Sequence, residues 1–258
     1  MATSIDQARC ILVVGATSGI GRALALAISE LPSKPTVIAA GRRADRLAEL
    51  TVKGLKTVQL DVTEDDAALK TKVDALIAQY PTLDGVLLCS GIQYQQNFLR
   101  EIALSDVKKE VQVNYMAVIT LITMFLPHFL KLSGAGLPSW IIPVSSGLGL
   151  LPSSQMPNYC ATKAALRSFT ISLRRQLLET KVSVIEIIPP LVESELHDDQ
   201  GTTAFLSKIW MPLADYTAHT LKGLREGKTD IGAGTSEKDV ERFIAAGLNA
   251  PVPVRKFD

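Results

Sequence analysis

Residues 10–28 read CILVVGATSGIGRALALAI. An apolar, largely β-branched run, 10–15, passes without a spacer into a glycine-rich turn and then into a helical pattern. Such runs read as strands covered on both faces. The turn carries Gly15, Gly19 and Gly21. The first permits a tight bend, the second lets a ligand approach the backbone, and the third lets the new helix pack on the sheet. The amides opening that helix are then aimed, with its dipole, at whatever sits over the turn, which favours a phosphate. Thr17, Ser18 and Ile20 lie in the same turn and are candidate contacts. A glycine-rich turn with no ligand is the plainer alternative; the placement at a first strand–helix junction favours the phosphate site.

The same alternation continues outward. TVIAAG (36–41), KTVQLD (56–61), DGVLLCSG (84–91), SWIIPVS (139–145) and VSVIEII (182–188) read as strands, and TDIGAG (229–234) as a last one. Pro143 argues against a regular ladder at its position. Helices are expected over 20–31, 43–52, 64–79, 104–131 and 158–179. Strand–helix alternation predicts an α/β fold, a doubly wound parallel sheet with helices on both faces, closed by right-handed crossovers. Ligands bind beyond the carboxyl ends of such strands, here Gly15, Gly41, Asp61, Gly91, Ser145 and Pro189. The chain has 258 residues, 47% of them hydrophobic, which is enough for one large core, and 1–258 reads as a single domain. The formal net charge of +1 points to no polyanion, so no nucleic-acid partner is expected. The apolar stretch 111–130 is broken by Gln112, Asn114, Pro127 and His128 and reads as a buried helix rather than a membrane span. Cys10, Cys89 and Cys160 fit no disulfide or metal spacing, and His128, His197 and His219 are scattered, so no metal is expected. Reduced thiols and the lack of a secretory signal point to the cytoplasm.

At the end of the second strand stands Gly41, where an acid would hold the ribose hydroxyls of NAD, followed by Arg42 and Arg43. A missing acid beside guanidinium groups suits a 2′-phosphate, hence NADP. Two arginines solvating a helix start is the alternative. Asp61, next to Val62, either accepts a hydrogen bond from adenine or caps the next helix; both readings stand.

Farther along, PVSSGLG (143–149) precedes NYCATK (158–163), with Tyr159 and Lys163 one helical turn apart. Taken together, these motifs resemble the short-chain dehydrogenase/reductase family over nearly the whole chain. GATSGIG resembles TGxxxGIG with Val14 in place of Thr; Tyr159 to Lys163 matches YxxxK; Ser146 lies thirteen residues before Tyr159; PPLVES (189–194) resembles PGxVxT. The resemblance implies a Rossmann-type fold and a catalytic set of Asn114, Ser146, Tyr159 and Lys163, with Ser145 as a second candidate for the serine. It implies that Tyr159 is the general acid/base, that Lys163 also bonds the nicotinamide ribose, and that Asn114 holds a water connecting Lys163 to solvent. A lysine ammonium and an oxidised nicotinamide beside Tyr159 would lower its pKa. Ser146 would polarise the carbonyl. Gly91, Pro189, Val192 and Ser194 are expected cofactor contacts, although Leu88-Cys89-Ser90 and Pro190 depart from the family pattern. Residues 193–215 fall where the family has its substrate lid, with Leu196, His197, Phe205, Leu206 and Trp210 as wall candidates; a helix packed on the body is the alternative. The expected protein is an NADPH-dependent carbonyl reductase, reversible as an alcohol dehydrogenase, acting on a small ketone or aldehyde. A nucleotide-sensing protein without turnover, and the same enzyme using NAD, are the alternatives. A homodimer or homotetramer through the helices at 104–131 and 158–179 would cover their apolar faces.

Overall fold

The computed structural model describes residues 2–247, apart from the side chains of residues 197, 199 and 200. The expectation of one domain over 1–258 therefore extends to 248–258, outside the described residues. β1 (Cys10–Val14), β2 (Thr36–Gly41), β3 (Lys56–Gln59), β4 (Gly85–Leu88), β5 (Ser139–Pro143) and β6 (Val182–Val184) form one parallel sheet in the order β3-β2-β1-β4-β5-β6. β1 is the central strand, pairing Val14 with Ala40 of β2 on one side and with Leu88 of β4 on the other. Strand order reverses there, and the crevice of a doubly wound sheet opens at that reversal. All five residues of β1 are buried. Cys10, Leu12 and Val14 join one core with α3 (Asp66–Gln79), α5 (Ala117–Gly134) and α6 (Pro157–Gln176), while Ile11 and Val13 join the other with α1 (Gly19–Ser29), α2 (Ala44–Val52) and α8 (Leu213–Arg225). The strand's period of two thus divides an unbroken apolar run between two helical layers.

The chain departs from its sequence reading in three places. The run 182–188 is two strands, because after pairing with β5 the chain shifts to β8 (Asp230–Gly232) as β7 (Glu186–Ile188). A single bridge, Val144 to Ile187, links the two sheets. The helix expected over 104–131 comprises α4 (Leu104–Val111), a π-helical turn Gln112–Met116, and α5, which runs on through Pro127 to Gly134. It is the one helix among the described residues long and apolar enough to cross a membrane. Its inner face, including Val118, Leu121, Phe125 and Phe129, is buried in the core as a layer of the fold. Finally, α8 and α9 (Thr235–Ala245) were not expected. α7 (Thr203–Leu206) follows a one-turn segment, Glu195–Gln200, in the stretch read as a lid. Pro143 ends β5, opposite Leu88, where its missing N–H interrupts little.

Glu186, an acid inside an apolar strand, has a physical explanation. It is fully buried, accepts a hydrogen bond from Ser145 Oγ, and lies 2.7 Å from Arg167 Nη1. Asp230 receives Arg167 at 3.2 Å and Arg174 at 2.9 Å. This charged cluster ties α6 to β7 and β8, and so fixes the helix that carries Tyr159 and Lys163.

Candidate active site

All six strand-end residues, Gly15, Gly41, Asp61, Gly91, Ser145 and Pro189, line a single cleft. Gly15 has φ +84°, and a Cβ there would stand 2.7 Å from the Ser90 amide nitrogen, so the first turn and the end of β4 can approach only with glycine. Thr17, Ser18, Gly19, Ile20 and Gly21 border the same cleft at the start of α1. The Ser18 side chain makes no capping bond to the first helical amides. That arrangement fits a diphosphate over the turn.

Deeper in the cleft, Pro157 begins α6, where a missing N–H disturbs nothing, and the helix buries Tyr159 and Lys163 on one face. Ser146 caps the short turn Gly147–Gly149, accepting from Leu148 N at 3.1 Å. A Cβ on Gly149 would stand 2.9 Å from the Lys163 carbonyl carbon; glycine here lets the turn rest on α6. This contact brings the Ser146 hydroxyl into hydrogen bond with the Tyr159 phenol. Ser145, the second serine candidate, points instead to Glu186. Lys163 Nζ donates to Val144 O at 2.9 Å and lies 5.6 Å from the Tyr159 ring centroid.

The electrostatics differ from the expected lowering of the tyrosine. Burial pushes the Tyr159 phenol above its ordinary range, with the Ser146 bond acting in the opposite direction. In the chain alone the phenol therefore keeps its proton. Burial also lowers Lys163 to about 8, against the attraction of Cys89, Glu186 and Glu110. The Cys89 thiol is pushed up to about 11, chiefly by burial. It is a neutral group in the wall of the cleft, within the Leu88-Cys89-Ser90 stretch that departs from the family pattern.

Asn114 lies in the π-helical turn, behind the cleft. Its Oδ1 accepts from Ile92 N at 2.9 Å, and its Nδ2 donates to Ile92 O at 2.9 Å and to Thr162 Oγ1 at 3.3 Å. A side chain on Gly91 would stand 3.6 Å from Asn114 Oδ1 and 3.7 Å from Lys163 Nζ, so both groups flank one spot. A residue the sequence reading did not single out, Glu110, is also fully buried. Its carboxylate takes Tyr94 N at 2.9 Å and Asn158 Nδ2 at 2.6 Å, joining the loop after β4 to the start of α6. Its spacing, one turn before Asn114, was the available signal.

At the β2 end of the cleft, Arg42 is exposed, with Nη1 4.0 Å from Asp61. Arg43 bonds Thr17 Oγ1, Ser18 Oγ and Glu195. Gly41 does not provide open space: a Cβ there would lie 2.5 Å from Thr17 Cγ2. Asp61 does not cap α3, whose cap is Asp65; it accepts from Thr63 N and Oγ1. Partial burial raises its pKa, but the Thr63 bonds and the charges of Arg42 and Lys72 outweigh that and hold it below the usual carboxylate value.

Val62, Pro189, Val192 and Ser194 also line the cleft. Met211 pairs with Leu191 O and Glu193 N, so the backbone groups of Val192 itself face the other way. Of the wall candidates, Leu196, Phe205 and Leu206 border the cleft and Trp210 does not. The His197 side chain lies outside the described part.

Known proteins share this fold and much of its sequence pattern. Residues 9–204 match the family model described as short chain dehydrogenase. An uncharacterized oxidoreductase of Bacillus subtilis (strain 168), DltE, is 35% identical over 226 residues, covering 86% of each chain. A short chain dehydrogenase/reductase from Burkholderia phymatum, solved in complex with NAD, superposes with TM-score 0.79 at 19% identity over 98% of each chain. A short-chain dehydrogenase from Sphingobium yanoikuyae, solved with NADPH, superposes with TM-score 0.78 at 19% identity over 97% of this chain and 98% of that one. At those identities the structural likeness is one of fold.

Proposed function

Since the chain belongs to the short-chain dehydrogenase/reductase family of NAD(P)-dependent oxidoreductases acting on CH–OH and C=O groups, we propose that it is an NADPH-dependent reductase of ketones or aldehydes, reversible as an alcohol dehydrogenase. The observation that carries this reading is the convergence of Ser146, Tyr159 and Lys163 at one end of the cleft. The nicotinamide, when bound, supplies or accepts the hydride. In reduction, Ser146 donates a hydrogen bond to the substrate oxygen and draws charge toward it. Tyr159, a neutral phenol whose pKa burial raises further, gives its phenolic proton to that oxygen as the carbonyl carbon becomes CH–OH. Lys163, held by Val144 O, stabilises the phenolate left behind. Asn114 fixes the Gly91–Ile92 backbone beside Lys163. Pro189, Val192 and Ser194 border the nicotinamide end, and segment 193–215 acts as the substrate lid, with Leu196, Phe205 and Leu206 offering apolar wall to the substituents.

Arg42 and Arg43 beside Gly41 support NADPH over NADH. A charge-assisted hydrogen bond to the 2′-phosphate contributes about 1.5–3 kcal/mol, or roughly ten- to hundredfold in preference. Three free thiols suit a cytoplasmic setting. Leu104, Met116 and Leu130 are exposed along the α4–α5 helix, which supports a homodimer or homotetramer closing over that face. Oxidation of NADPH and of NADH with a panel of aldehydes and ketones, at one salt concentration, tests the function. Turnover with NADPH preferred is expected. No turnover with any carbonyl would favour a nucleotide-sensing protein, and a preference for NADH would overturn the cofactor assignment.

A further inference from the structure

Glu195 opens the segment that follows Ser194, and its carboxylate lies between two guanidinium groups. Oε2 is 2.8 Å from Arg43 Nη1, and Oε1 is 3.1 Å from Arg46 Nη1. The remaining donors of Arg43 are engaged as well: Nε with Thr17 Oγ1 at 3.2 Å, and Nη2 with Thr17 Oγ1 at 3.1 Å and Ser18 Oγ. Two cations and two hydroxyls gathered at the end of β2 are the donor set that recognises a phosphate monoester. In this structure a carboxylate belonging to the chain holds that set. The Arg43 hydrogen bond, with Arg46 behind it, keeps the Glu195 carboxyl below its usual range, so it is ionised at neutral pH.

A dianionic phosphate approaching Arg43 must displace one of these partners. Thr17 and Ser18 are fixed on the glycine turn, and their hydroxyls can turn to donate to phosphate oxygens. Glu195 has nothing to donate and repels a second anion. It is therefore the partner that leaves.

We propose that Glu195 is a specificity-determining residue, an intramolecular carboxylate that competes with the 2′-phosphate of NADP(H) for Arg43 and Arg46. This rests on the assignment of NADP(H) as cofactor. A dinucleotide without that phosphate binds with the Glu195 contacts in place, whereas NADP(H) binds by replacing them. Glu195 thus narrows the preference that the arginines create.

The test uses adenosine fragments, which need neither the nicotinamide site nor turnover. Adenosine 2′,5′-bisphosphate and adenosine 5′-monophosphate are titrated calorimetrically into the wild-type protein and Glu195→Gln, which keeps the shape and removes the charge. The side chain is exposed, and equal thermal melting of the two proteins checks folding. Glu195→Gln should bind the bisphosphate about three- to tenfold more tightly, the scale of a solvent-exposed ion pair plus the repulsion relieved. The monophosphate should change by less than about twofold, and added salt should shrink the gain. If the wild type prefers the bisphosphate while Glu195→Gln leaves its affinity unchanged or lower, the competition is refuted and the cofactor assignment stands. If the wild type and Glu195→Gln both bind the two fragments alike, the cofactor assignment fails and the competition fails with it.

Discussion

Lys163→Met should make the cofactor-free protein more stable at pH 7. Lys163 is 4% exposed, and burial brings its pKa from the 10.5 of a free lysine to about 8. At about 1.36 kcal/mol per tenfold, holding this ammonium in the fold costs about 3 kcal/mol. Methionine fills similar space without a charge but leaves Val144 O without its 2.9 Å donor, a loss of about 1 kcal/mol. The variant should therefore gain about 2 kcal/mol at neutral pH. The sign follows from proton counting. Between pH 8 and 10.5 the unfolded wild type binds a proton that the folded form has released, so wild-type stability rises with pH across that window. Methionine does not titrate. The advantage of the variant should fall by roughly 2 kcal/mol from pH 7 to pH 10 and nearly vanish. Urea unfolding of both proteins across this range measures the difference, and other titrations common to both cancel. A variant less stable than wild type at pH 7, by a margin that does not change with pH, would refute the idea that Lys163 is a buried charge maintained for chemistry.

Other perturbations follow from the same geometry. In reduction, kcat/KM for NADPH should fall as pH rises through about 8, because Lys163 loses its charge there while Tyr159 remains a phenol; a flat profile to pH 10 would contradict this. Glu186→Ala removes the buried carboxylate that lies 2.7 Å from the buried Arg167 guanidinium and should cost about 3–5 kcal/mol in chemical unfolding. Arg42→Ala should reduce the NADPH-to-NADH ratio of kcat/KM about tenfold with little change in NADH use, the scale of one charge-assisted contact. Arg42 is a cleaner probe than Gly41→Asp, because any Cβ at Gly41 collides with Thr17.

The parts legible in the sequence are those where one physical requirement dominates. β1 must be apolar on both faces, and the turn after it must be glycine where Gly15 meets Ser90, so both can be read directly. Tyr159 and Lys163 are related by helical spacing alone. α8 was missed because its buried face includes Thr220 and Gly223 beside Tyr216 and Leu224, which blurs the apolar period. α9 buries only Ser236 and Val240 and gives even less signal. The break at Ile185 follows from a change of strand partner, which a continuous run such as VSVIEII does not encode. Glu186 and Glu110 find their partners across 16 to 48 residues of sequence, so those contacts are set by the fold rather than by local spacing. The direction of the Tyr159 shift depended likewise on burial, which spacing does not reveal.

The central claim is that Tyr159 is the proton donor of a carbonyl reductase. Its direct test is steady-state reduction of an accepted carbonyl by NADPH in Tyr159→Phe, with NADPH binding measured on the same preparation by fluorescence. Phenylalanine keeps the buried ring and removes the phenolic O–H, the proton assigned to the substrate oxygen. Turnover should fall by about a hundredfold or more, as for the loss of a general acid, while the NADPH dissociation constant stays within about twofold, since the phenol acts on the substrate oxygen. Near-normal turnover in folded, NADPH-binding Tyr159→Phe would contradict the account.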